Sequence, residues 1–249
     1  ILGDFIVRWN PNKSFGKANV RLEKQTYILT TLVKTMPELL TPKVISILRT
    51  MCSHIEKRYY TRELAKLSGV SPWSVSRQFS KLVGEGMIRE ISEGREIFYS
   101  LNLSNAKTRK ICELFEIEKR EDFIKKNRRF AWVLEDFTRR TYDFIPEVQS
   151  IILFGSVARG QATLRSDVDI LVLAPNYEGE KFKELMSSVD KLANDVGGRH
   201  PIKLAPVVMT TRDFEQGLKD RKRFTTDVLN DGLVLFGEDR YYNLLSKAI

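Results

Sequence analysis

Residues 151–173 constrain this chain more than any other stretch of it. Ile151-Ile152-Leu153-Phe154 is an unbroken apolar run, the pattern of a strand covered on both faces. Gly155-Ser156 interrupts it. A second apolar run, 168–173, follows and is closed by Ala174-Pro175. Strands of this kind need helices above and below their sheet, and the sequence offers them. Residues 181–196 place Phe182, Leu185, Met186, Val189, Leu192 and Val196 on one helical face. Residues 211–230 read as mostly helical, and 202–209 and 233–236 are further strand candidates. From residue 148 onward the expected class is therefore α/β, with a mixed sheet.

The turn between the two strands carries chemistry. Asp167 and Asp169 lie two apart. An extended backbone sets both carboxylates on one side and sends Val168 and Ile170 the other way, into the core. Mg²⁺ takes hard oxygen ligands of this sort together with substrate phosphates, and paired metal ions serve an in-line displacement. Gly155 has no Cβ, so the backbone there can approach a bulky anion. N–H groups at a helix start favour negative charge, and the Ser156 hydroxyl can add a bond.

The run Gly155-Ser156-Val157-Ala158-Arg159-Gly160, followed by Ser166-Asp167-Val168-Asp169, matches the Gly-Ser…Asp-x-Asp signature of the DNA polymerase β-like nucleotidyltransferase superfamily. Over about residues 128–240 the chain resembles its minimal nucleotidyltransferases. The resemblance implies transfer of an NMP from a nucleoside triphosphate to an acceptor hydroxyl. It places Gly155, Ser156, Arg159 and Ser166 on the nucleotide, with Arg159 bracing the loop or touching phosphate. Asp167 and Asp169 become the catalytic pair and the ligands of one or two Mg²⁺ ions.

One departure stands out. Active members of the family carry a third carboxylate on a later strand, which helps deprotonate the attacking hydroxyl. Here that strand, 201–209, holds no acid, and Lys203 or Ala205 stands where one is expected. Lys203 reads as a solvated edge residue, with phosphate as its alternative partner. Asp195 and Asp213 lie outside the strand. Two readings stay open: a working transferase, or a nucleotide-binding domain with weakened turnover.

The first half has a different pattern. Thr41-Pro42 opens a helix with Val44, Ile45, Ile47, Leu48 and Met51 apolar. Thr61 is placed to cap a second helix, Gly69 makes a tight turn, and Ser71-Pro72 starts a third. Val75, Phe79 and Leu82 form its buried stripe. Runs 87–91 and 97–101 around Ser92-Glu93-Gly94-Arg95 read as a β-hairpin. The outer face of the third helix then offers Trp73, Ser74, Arg77, Gln78 and Lys81, and Arg89 and Arg95 flank the hairpin. Such groups suit base edges and phosphates. Residues 64–77 resemble the winged helix-turn-helix of ArsR- and MarR-like regulators, over about residues 41–103. The resemblance implies double-stranded DNA as a partner and a homodimer reading two half-sites. Ile111, Leu114 and Phe115 are the face expected to dimerise.

Charge supports the division. The net charge is +9. Residues 1–149 hold 27 basic against 18 acidic side chains, and residues 150–249 hold 14 of each. The basic part suits a polyanion. The expected α+β organisation is an N-terminal extension (1–40, with helical spacing at 21–36), a winged helix-turn-helix domain (41–103), a helical connector (104–127) and a nucleotidyltransferase domain (128–249).

Composition excludes several classes. No run reaches the roughly 18 apolar residues of a membrane span, and no secretory signal pattern is visible. Cys52 and Cys112 are far apart, without C-x-x-C. This argues against a cysteine-built zinc knuckle or a disulfide framework and suits a reducing cytoplasm. With His54 and His200 as the only histidines, neither a His-rich metal site nor a Ser-His-Asp triad is expected. The functions in view are a Mg²⁺-dependent transferase coupled to a DNA-binding domain, or a DNA-binding regulator whose weakened transferase domain senses nucleotide. A third is an antitoxin-like partner of a toxin.

Overall fold

The computed structural model describes residues 39–163, 166–200 and 202–249. The helix expected at 21–36 lies outside the described residues. Helix α1 (Pro42–Cys52) starts where Thr41 Oγ1 accepts from the Val44 N–H at 3.4 Å. Pro42 takes the first helical position, where no N–H is needed. Helix α2 (Thr61–Ser68) differs from the expectation at its start: Tyr60 is the cap, without a side-chain bond, and Thr61 is already helical. It ends on Gly69 at φ +68°, a left-handed conformation that a Cβ disfavours. Helix α3 (Pro72–Gly84) is capped by Ser71 and buries Val75, Phe79 and Leu82. The strands β1 (Ile88–Glu93) and β2 (Glu96–Leu101) form an antiparallel hairpin, and Tyr59 pairs with Tyr99 beside it.

Helix α4 (Ala106–Lys126) follows, with Asn105 Oδ1 accepting from the N–H groups of Lys107 and Thr108. It packs against α1 and against elements later in the chain. Of the face expected to dimerise, Leu114 is half-buried and the other two are covered. Ile111 and Phe115 are buried within the chain, and the Arg49 guanidinium lies 4.4 Å over the Phe115 ring. Helix α5 (Arg128–Phe144) then leads to the sheet.

The sheet is built from β3 (Ser150–Phe154), β4 (Val168–Ala174), β5 (Leu204–Thr210) and β6 (Leu233–Phe236), in the order β5-β4-β3-β6. β4 and β5 run parallel, and β3 is antiparallel to both β4 and β6. The single turn α6 (Gly155–Ala158) follows β3, and α7 (Gly179–Arg199) joins β4 to β5. Helices α8 (Thr211–Lys219) and α9 (Arg223–Asp231) divide the stretch read as mostly helical, and α10 (Glu238–Ala248) closes the described chain. The molecule is thus mixed α+β, with a mixed sheet in its C-terminal half.

The core explains the apolar runs. Ile151 and Leu153 of β3 and Val168, Ile170 and Val172 of β4 face Phe130, Val133, Leu134 and Phe137 of α5 and Leu185, Val189 and Val196 of α7. Ile152 and Leu171 point to the other face and are fully buried there too. Each such side chain gains about 1.5–3 kcal/mol from leaving water, which fixes the strand pairing and so the position of the turn above it. Among the described residues, no helix is long and apolar enough to cross a membrane.

Candidate functional site

Strand pairing sets the site. In the β3–β4 register Phe154 lies opposite Asp169, so the chain leaves β3 directly over that carboxylate. Gly155 turns it there with φ +73°. A Cβ at this position would collide with Asp169 Oδ2 and lie 2.9 Å from its Cγ. Only glycine meets both demands, the left-handed backbone and the close carboxylate. Asp167 stands just before β4 and Asp169 within it, both partly buried. Burial and the neighbouring Asp167 charge push the Asp169 carboxyl above the usual carboxylate range, against the pull of Arg159. Two crowded carboxylates of this kind gain from a nearby cation.

The parallel register of β4 and β5 decides what faces them. Val168 pairs with Leu204 and Asp169 with Ala205. A methyl group therefore stands beside Asp169, and Lys203 stands beside Asp167. Lys203 is not simply solvated. Its Nζ donates to Asp167 Oδ2 at 2.8 Å, although the side chain is 74% exposed. This hydrogen bond and the Asp167 charge raise the Lys203 pKa. The other two acids considered near β5 are engaged elsewhere: Asp195 pairs with Arg140 and Arg199, and Asp213 caps α8 with Thr210. Among the described residues, no three His, Cys, Asp or Glu side chains group closely enough to hold a metal ion by themselves.

The loop around the turn is held by its own polar groups. Arg159 lies 3.6 Å from Asp231 and donates to Gln161 Oε1, a bracing position. The Ser166 hydroxyl accepts from the Thr163 N–H at 2.8 Å, so it shapes the loop. Arg129 donates to the Thr163 carbonyl at 3.4 Å, and Phe224 packs edge-on to Phe154. Asp231, Arg129 and Phe224 are the neighbours that sequence reasoning missed, since each comes from a helix far along the chain. A polar cavity of about 390 Å³, bordered by Ser150, Leu173, Arg212 and Arg240, sits at the opposite end of the sheet from the aspartates.

The residues expected to meet DNA separate in the structure. Trp73 is 71% exposed on α3, with the Arg77 guanidinium 5.6 Å from its ring. Arg77 and Lys81 are exposed and Gln78 is half-buried. Ser74 is buried instead of facing outward. It sits in the capping turn, where Ser71 Oγ and Lys43 Nζ donate to its hydroxyl at 3.0 and 3.3 Å. Arg89 fastens the foot of the hairpin to Asn102 and Ser104, whereas Arg95 is exposed at its turn.

A match to a known family spans the residues of this site. Residues 131–225 match the family described as "Nucleotidyltransferase domain". A Methanocaldococcus jannaschii protein named "Putative protein adenylyltransferase" is 29% identical over 111 residues, covering 44% of this chain and 74% of that protein. A crystal structure of a toxin-antitoxin with AMP-PNP shares 22% identity, with a TM-score of 0.32, over 45% of this chain and 80% of that one.

Proposed function

We propose, from the premise that the C-terminal half is a nucleotidyltransferase domain, that this chain transfers an NMP from a nucleoside triphosphate to an acceptor hydroxyl and releases pyrophosphate. The observation that carries this reading is the seating of the Asp169 carboxylate against Gly155, with Asp167 beside it. The name of the M. jannaschii relative supports AMP as the group moved and a protein hydroxyl as the acceptor.

Gly155 and Ser156 bind the triphosphate at the turn after β3. Arg159, braced by Asp231, and Ser166 hold that loop in shape. Asp167 and Asp169 would hold Mg²⁺, which when bound offsets phosphate charge during transfer. Two carboxylates with substrate phosphates are a hard-oxygen donor set suited to this ion, and without an acid on β5 the set suits one ion better than two. The Lys203 ammonium offsets the Asp167 charge from the other side.

A second reading, a DNA-binding regulator that senses nucleotide with little turnover, is favoured by one observation. Lys203 and Ala205 occupy the positions beside the two aspartates, and general-base help is worth roughly 10²–10⁴ in rate. In both readings residues 41–103 act as a winged helix-turn-helix on double-stranded DNA through Trp73, Arg77, Lys81 and Arg95. Residues 104–127 then connect them to the transferase domain, 128–249.

Incubation with labelled nucleoside triphosphates and Mg²⁺ tests the reading, beside Asp167→Ala and Asp169→Ala. Labelling by the parent chain alone supports transfer. Equal labelling in all three overturns it, and nucleotide binding without labelling selects the regulator.

A further inference from the structure

We propose that Cys52 and Cys112 are a redox-modification site, forming a reversible intrachain disulfide with hydrogen peroxide as the oxidant. It would latch the N-terminal helices to α4. The pair is the chain's whole complement of cysteine. The two residues are 60 apart in sequence, one at the last position of α1 and the other near the start of α4, yet their sulfur atoms lie 2.8 Å apart. Nothing stands between them. Cys112 is fully buried and Cys52 partly exposed.

This asymmetry orders the chemistry. Burial pushes the Cys112 thiol up, so it keeps its proton, and the accessible Cys52 meets the oxidant first. The Cys52 thiolate attacks the peroxide O–O bond, giving a sulfenic acid and hydroxide, with sulfur oxidised and peroxide reduced. Cys112 sulfur then attacks the Cys52 sulfur, the S–O bond breaks, and water leaves with the Cys112 proton. The sum is two thiols and one peroxide giving one disulfide and two waters. A dithiol reductant reverses it by exchange.

The location gives the bond a consequence. Closing it would enclose α2, α3 and the hairpin in one covalent loop, which restricts the unfolded chain. One turn beyond Cys112, the buried Glu116 accepts from the Val234 N–H at 2.8 Å and from the Tyr242 hydroxyl at 3.2 Å. The latch thus ties α1 to the same helix that grips β6 and α10. The inference is independent of the transferase and DNA readings.

The test treats the reduced full chain with hydrogen peroxide at neutral pH, unfolds it in denaturant with excess maleimide, and maps the peptides. The expected result is a mass loss of about 2 Da, no maleimide on either cysteine, and a Cys52–Cys112 cross-linked peptide that dithiothreitol dissolves. The oxidised chain should melt above the reduced one. Cys52→Ser should show no mass loss and take one maleimide at Cys112. Maleimide on both cysteines of the parent chain, linked dimers alone, or separate gains of about 32 Da per cysteine would each overturn the proposal. An unchanged melting midpoint would overturn the latch.

Discussion

Lys203 holds Asp167: its Nζ lies 2.8 Å from Oδ2, and the two residues stand side by side because β4 and β5 start in parallel register. A cation built into the chain thus occupies one of the two proposed metal ligands. Lys203→Ala removes this competitor. The pair is exposed and so contributes little, and Mn²⁺ affinity with nucleotide present should rise by no more than about five-fold at constant ionic strength. Calorimetric titration measures this, and an unchanged affinity would argue that Lys203 does not compete.

Gly155→Ala should damage both the fold and the site. The substitution demands φ +73° of an L-residue and drives a methyl into the Asp169 carboxylate. A loss of about 2–4 kcal/mol in denaturant unfolding is expected, together with loss of nucleotide binding in a fluorescence titration. A stable variant that binds as before would show that the turn tolerates a Cβ.

Asp169→Asn should stabilise the chain while removing function. The Asp169 pKa is raised by burial and by the Asp167 charge, so the folded state holds this proton more tightly than the unfolded state. Stability of the parent chain therefore falls as pH rises from the ordinary carboxylate range through the raised value, and stays at the lower level above it. The asparagine variant lacks that loss. Melting curves from pH 3 to 7 should show the variant gaining on the parent through this window, and a constant difference would count against the sign.

Glu116 joins α4 to the sheet through the Val234 N–H and the Tyr242 hydroxyl, and Arg120 adds a pair with Glu238 nearby. Glu116→Ala leaves a buried backbone donor without a partner and should cost about 2–4 kcal/mol. Glu116→Gln keeps an acceptor for Val234 and should cost less. Equal losses in the two variants would mean that the charge, not the backbone bond, sets the cost.

On α3, Arg77→Ala and Lys81→Ala should each weaken binding to duplex DNA and lower the slope of log affinity against log salt by about one. Ser74→Ala should leave that slope unchanged, because the Ser74 hydroxyl is buried in the capping turn. A slope that falls as much for Ser74→Ala as for Arg77→Ala would remove α3 as the contacting face.

Much of the fold was legible because its causes are local. The unbroken run in β3 and the one in β4 announced strands covered on both faces, and the core bears this out. Gly69 and Gly155 stood where the backbone turns left-handed, and Ser71-Pro72 marked a helix start at the correct residue. Local spacing was a poorer guide to exposure. Ser74 read as outward-facing, yet its place in the first turn of α3 leaves its hydroxyl accepting from Ser71 and Lys43. Ile111 and Phe115 read as a free face, yet the chain covers them itself.

By itself, then, the sequence determined where most strands and helices lie, where the chain must turn, and that two carboxylates stand two residues apart where a strand begins. These follow from side-chain period and backbone freedom within a few residues. Only the tertiary structure decided which side chain answers each of them. Lys203 meets Asp167 across 36 residues, Cys52 meets Cys112 across 60, and Glu116 meets Val234 across 118. Each of these depends on strand register or helix packing, which the whole core fixes at once and no local pattern encodes.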